Sequence, residues 1–241
     1  MTKTKSRTTL GALADAQAER NPRSTPTRGR IAGGGKPTDK PLVANGRPLR
    51  RHELEHPEQA SEEVASNYQP TKVITLGAIG DMTIDVRKDV LDIRLLSQDV
   101  EEGCFTQIGD VVISLSAPFS SACIDKETTG LFIPNTCAVI RMDKQTSEIL
   151  DPWFLVGYLN LGGIKDLLER KPTSSRWKTL RIEDLRSIEI PLPDMDAQKA
   201  LARVLQSHVK KIRTNRLLQQ QRTELIEQSF ALMLDTTRKK N

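Results

Sequence analysis

The sequence predicts an α+β fold: a globular unit built on a mixed sheet, followed by one long α-helix and preceded by a disordered basic tail. Three observations lead there. Alternating and continuous apolar stretches recur between residues 72 and 142, as strands require. Residues 186–205 pass from a strand pattern to a helix pattern within a few positions. The first fifty residues are rich in Thr, Arg, Gly, Pro and Lys and poor in large apolar side chains. The chain therefore divides into a tail and acidic linker over 1–70, a globular domain over 71–193 and a long helix over 194–237.

The charge follows the same division. The 241 residues carry a formal net charge of +5. Residues 1–50 hold 11 Lys/Arg against 3 Asp/Glu, and residues 201–241 hold 9 against 3. Residues 72–150 hold 7 against 12. Basicity thus belongs to the two ends, and overall pI says little about the domain's partners. The low apolar content of residues 1–50 predicts disorder there, as a basic arm on DNA phosphates or as a solvated extension, with room for a short helix at about Thr9–Arg20. Glu53, Glu55, Glu58, Glu62 and Glu63 mark the linker, with one helical turn in it.

In the domain, Lys72–Leu76 and Val90–Leu96 have the β-branched or alternating character of strands. Ile108–Ser116 opens with the turn pair Gly109-Asp110 and continues as an apolar run suited to a strand buried on both faces. Asp110 reads as a turn former at a strand entrance rather than a catalytic carboxylate. Leu131–Met142 is a bent strand or strand pair, with Pro134-Asn135 at the bend. Asp151-Pro152 caps a helix whose Trp153, Phe154, Leu155, Val156, Tyr158 and Leu159 supply much of a scarce core. Gly162-Gly163 interrupts it.

The next segment is basic and hydroxyl-rich: Arg170, Lys171, Ser174, Ser175, Arg176 and Lys178, with Trp177 among them. Guanidinium groups suit phosphates and guanine edges, and hydroxyls suit phosphate oxygens. It reads as a DNA-contacting loop or, equally, as a solvated loop with Trp177 tucked into the core. Thr179 is a candidate cap for a short helix at 182–185. Ile188 and Ile190 alternate with polar residues, Pro191 and Pro193 end the strand, and Asp194 and Asp196 cap the long helix. A helix of about 38 residues is about 57 Å long and needs a partner helix. Leu201, Leu205, Ile212, Ile226 and Met233 are its candidate pairing residues.

No glycine-rich cofactor loop, N/D-P-P-aromatic motif, Walker A loop or metal-spaced His/Cys cluster occurs. Glu169-Arg170-Lys171 has the E-x-K form of a nuclease motif without its P-D partner. The expectation is a non-enzyme with no cofactor and no metal. Cys104, Cys123 and Cys137 stand far apart and read as buried thiols of a reducing, cytoplasmic compartment. No apolar run of about 18 residues is present, so no membrane span is expected.

The strand Ile188, Ile190, Pro191, Leu192, Pro193, then an acidic turn and Gln198 opening a long helix, resembles the specificity subunit of type I restriction-modification systems. Ala197 stands where that family usually has Glu. The G-D strand at 109–116, Asn135 with a strand ending at Arg141, the aromatic helix after Asp151 and the spacing of Leu180, Leu185 and Ile188 match in the same order. The resemblance covers residues 73–234. It implies a target-recognition domain for double-stranded DNA and a spacer helix; Asn135 in that pattern either bonds local backbone or faces the DNA beside the 170–178 loop. It also implies a methyltransferase subunit as partner and, through it, a restriction subunit. A complete subunit has two domains and two helices; this chain has room for one of each. That implies a homodimer or pairing with another half-sized chain, on a bipartite target. The alternative is an interaction module with a dimerising helix and no DNA reading.

Overall fold

The computed structural model describes residues 6–20, 42–80, 84–171 and 179–238, with side chains to 233. Strand β1 (Ser6–Thr9) leads into helix α1 (Leu10–Arg20), and β2 (Val43–Asn45) comes next. A one-turn α2 (Glu62–Ala65) precedes the hairpin-like pair β3 (Tyr68–Val73) and β4 (Asp92–Ser97). Then come β5 (Val111–Ser114), β6 (Ser121–Cys123) and β7 (Cys137–Ile140). Helices α3 (Lys144–Ser147), α4 (Pro152–Leu159), α5 (Gly162–Glu169) and α6 (Ile182–Arg186) lead to β8 (Glu189–Leu192) and α7 (Met195–Arg238).

A four-stranded sheet in the order β2-β7-β5-β6 is the centre. The named strands pair antiparallel throughout; the parallel contacts are the isolated bridges Arg47–Pro134 and Val73–Phe132. The mixed character expected of the sheet is confined to those two bridges. β5 lies between β7 and β6, and all four of its residues are buried. Its alternation divides the core. Val111 and Ile113 join the larger cluster with Leu10, Phe154, Leu155 and Ile190, while Val112 joins Ile74, Ile133 and Val139 on the other side.

Within residues 1–70 the described segments, 6–20 and 42–70, are ordered rather than tail and linker; the helix expected near 9–20 is α1 and the single turn expected in the linker is α2. β1 pairs with β8, with Thr8 opposite Ile190. The α1 side chains of Leu10, Leu13 and Ala14 are buried in the main core, and β2 extends the central sheet alongside β7. Few apolar residues suffice because elements far along the chain cover them, up to 186 positions away where Ser6 lies opposite Leu192. Pro191 likewise does not end its strand. The Leu10 N–H donates to the Ile188 carbonyl at 3.1 Å. By antiparallel alternation the bonded pairs are then 10/188, 8/190 and 6/192. Pro191, opposite Arg7, takes a position that needs no donor.

Local chemistry explains the helices. The Asp151 carboxylate accepts from the Trp153 and Phe154 N–H groups at 2.8 and 3.1 Å, and Pro152 occupies the first turn. Thr179 is not the cap of α6: it bridges to Ser116, and Arg181 takes the cap position with its N–H on the Asp184 carboxylate at 3.1 Å. Asp194 caps α7 through the Ala197 N–H at 2.8 Å. Among the described residues no helix is long and apolar enough to cross a membrane.

Candidate nucleic-acid interface

Antiparallel registers decide which loops share an end of the sheet. Ser114 lies opposite Cys137, Asn45 opposite Ala138, and Ile113 opposite Ser121. The ends of β2 and β5 and the starts of β6 and β7 therefore meet. There the Leu115 N–H donates to the Thr136 carbonyl and the Leu180 N–H to the Leu115 carbonyl, at 2.9 and 2.8 Å. This brings the turn at Pro134-Asn135-Thr136, the loop after β5 and the chain from Thr179 into one cluster. Asn135 is exposed there, and its N–H donates to the Arg47 carbonyl at 3.0 Å.

Of the other predicted contact residues, Arg170 is exposed at the end of α5, and Lys171 donates to the Ser187 hydroxyl at 2.9 Å. Ser174, Ser175, Arg176 and Lys178 lie outside the described residues. The sheet end thus holds Asn135 and the return of the 170–178 loop at Thr179, two features that sequence order separates by some forty residues.

The G-D strand and the strand ending in Arg also meet. The Asp110 carboxylate accepts from Arg141 at 2.7 and 2.5 Å and from the Gln107 N–H at 2.7 Å; Arg141 also donates to the Phe105 carbonyl at 2.8 Å. Asp110 is thus a turn former and half of a buried ion pair, occupied by structural partners. The cysteines are buried as well; burial holds the Cys123 thiol well above its usual range and pushes Cys137 up to about 12.

The opposite end of the sheet holds α7. Gln198, fully buried, accepts from the Asp151 N–H at 2.9 Å and donates to the Ile149 and Pro193 carbonyls at 3.0 and 2.9 Å. Leu205 packs on α4 where Gly157 lacks a side chain; a Cβ there would lie 2.6 Å from the Leu205 Cδ1. Arg213 then donates to Asp85 at 3.0 and 2.6 Å and to Asp125 at 2.7 Å, and Arg216 donates to Asp85 at 3.1 Å. Burial disfavours the charge on Arg213, but the two carboxylates outweigh it and raise its pKa. Burial likewise opposes the Asp125 charge, and Arg213 overcomes it, so the Asp125 pKa is lowered. A cleft of about 770 Å³ beside this clamp is lined by four carboxylates and four cations. Their balance offers phosphate no net attraction.

Every residue from 217 to 233 is exposed. Leu218 lies nine residues beyond Val209, about 180° round the helix from the domain-facing side. Leu218, Leu225, Ile226 and Met233 face outward on the emergent half. Of the predicted pairing residues, Leu201, Ile226 and Met233 are exposed, whereas Ile212 and Leu205 are partly buried, Leu205 on its own domain. Sequence reading missed the clamp: Asp85 and Arg213 are 128 positions apart, and no local pattern couples them.

Residues 93–227, more than half of the chain, match the family model for the type I restriction modification DNA specificity domain. The chain belongs to that family. It is similar in fold to the crystal structure of the HsdS subunit from Thermoanaerobacter tengcongensis, at 19% identity and a TM-score of 0.47, over 82% of this chain and 50% of that one. It is also similar to a chain from a structure of complex assembly and conformational transition of the type I R-M system, at 17% identity and a TM-score of 0.40, over 87% of this chain and 46% of that one. The chain spans about half the length of these two. A comparison with curated protein sequences gave no match.

Proposed function

We propose that this chain supplies a non-catalytic DNA-specificity domain and spacer helix that read one half of a bipartite DNA target and position a methyltransferase subunit, with a restriction subunit joining through it. The observation that carries this reading is the extent of the family match. It runs from β4 through the sheet, across the junction at β8 and along α7 to residue 227, so it takes in both domain and helix. The loop cluster at the end of the sheet where β5 ends and β6 and β7 begin is the face assigned to DNA, with Asn135 toward the groove and the basic residues of 170–178 assigned to it from their chemistry. The emergent half of α7 is assigned to a second helix, from another copy or another half-sized chain, because its outward apolar residues have no cover within the domain. The domain reads DNA and the helix brings a second reader; the chemistry belongs to the methyltransferase.

The test is co-expression with the methyltransferase subunit and purification on duplex DNA. Retention of both proteins on a preferred sequence supports the reading. Retention of neither, with the two proteins still bound to each other, favours an interaction module that has no DNA role.

A further inference from the structure

Residues 46–53 carry three arginines and lie where the chain was expected to be a tail. They are instead fastened to the central sheet. The Gly46 N–H donates to the Cys137 carbonyl and the Arg47 N–H to the Ile133 carbonyl, both at 2.9 Å. The approach is so close that a Cβ on Gly46 would lie 2.1 Å from the Pro134 carbonyl oxygen. Leu49 packs against a small core with Phe132, and the His52 ring meets Phe132 edge-on at 5.9 Å. The Ser97 N–H holds the His52 carbonyl at 2.8 Å. The segment is therefore a fixed rim beside Asn135.

Its cations point outward. Arg47, Arg50 and Arg51 are all exposed. Among the described residues, the carboxylate that approaches Arg47 is Glu101 at 4.0 Å, itself exposed and water-screened, and no carboxylate reaches Arg50 or Arg51 within that distance. Arg47 and Arg51 act together on His52, whose pKa is lowered first by burial and then by their charge. A rigid set of arginines projecting from an ordered edge suits phosphates, which position a protein on a duplex without reading bases.

We propose that Arg47, Arg50 and Arg51 form a phosphate-contacting rim that seats the DNA backbone beside Asn135. The proposal rests on the DNA-reading function above. Asn135 then lies within reach of base edges while the rim sets the register.

The experiment measures binding of the full chain, with the methyltransferase subunit, to a pool of random-sequence duplexes over a salt series. For the Arg47→Ala/Arg50→Ala/Arg51→Ala variant the slope of log affinity against log salt should fall by about 0.9 for each phosphate that is no longer neutralised. The sequences enriched from the pool should stay the same, and so should the thermal midpoint. Lys126→Ala, beyond β6 at the opposite end of the sheet, should leave the slope unchanged. If the triple variant unfolds, Arg50→Ala and Arg51→Ala taken singly should each lower the slope. A wild-type slope that survives all these changes overturns the rim alone. No duplex binding by the wild-type complex overturns the rim and the DNA-reading function together.

Discussion

Asp110 and Arg141 show how two motif residues become one structural unit. They start and end neighbouring strands, and both are largely buried, with side chains 2% and 12% exposed. Removing one partner of a buried pair leaves the other charge desolvated. Asp110→Ala is expected to destabilise the domain by about 3–5 kcal/mol, read as a shifted midpoint in chemical denaturation. A nucleophile or general base at this position would instead change chemistry and leave stability intact. Gly46 is the second test at this scale. Its added methyl would meet backbone rather than a mobile side chain. Gly46→Ala should cost about 1–3 kcal/mol as an overpacking change, whereas Gly157→Ala should cost less, because the Leu205 side chain can rotate away.

Among the elements, α7 is held by contacts of different kinds: Gln198 hydrogen bonds, Leu205 packing and the Asp85–Arg213–Asp125 clamp. Asp85 is almost fully buried. Asp85→Ala should therefore loosen α7 by about 3 kcal/mol and speed proteolysis near residue 213, with the central sheet intact. The clamp should also respond to acid. The Asp125 pKa is lowered from an ordinary 3.8, so its contribution is present above that value and is lost as pH falls below it, through the folded-state pKa. Trp153 lines the cleft beside Arg213. Its fluorescence, in a Trp177→Phe background, should report an acid transition that is absent in Arg213→Met. How legible these elements were depended on the range of their signals. The α4 cap, the buried β5 run and the onset of α7 are written in adjacent residues, and the sequence reading placed them. β1, α1 and β2 are stabilised by β8, α6 and β7, far along the chain; a helix near 9–20 was legible, but its place in the core was not, because the segment's composition resembles a solvated tail. Deleting residues 1–20 removes Leu10, Leu13 and Ala14 from the core, and thermal melting of the truncated chain should show a large loss of stability, with each buried leucine worth about 1.5–3 kcal/mol.

At the scale of the chain, one domain carries one long helix. α7 has 44 residues, about 66 Å at 1.5 Å per residue, and its outer half carries the uncovered apolar side chains. Pairing two such helices antiparallel would put two domains at opposite ends, and two-fold symmetry would make the target an interrupted palindrome. Pairing with a different half-sized chain would make it asymmetric. Ile226→Asp with Met233→Asp should split that assembly in light scattering while the domain stays folded, since both side chains are exposed. The central claim, that this chain chooses the DNA sequence on which a methyltransferase acts, is tested most directly by mapping methylated positions across a genome with the chain present and with its gene deleted. The account predicts a two-part motif that is methylated only when the chain is present. An identical methylation map in both would contradict it.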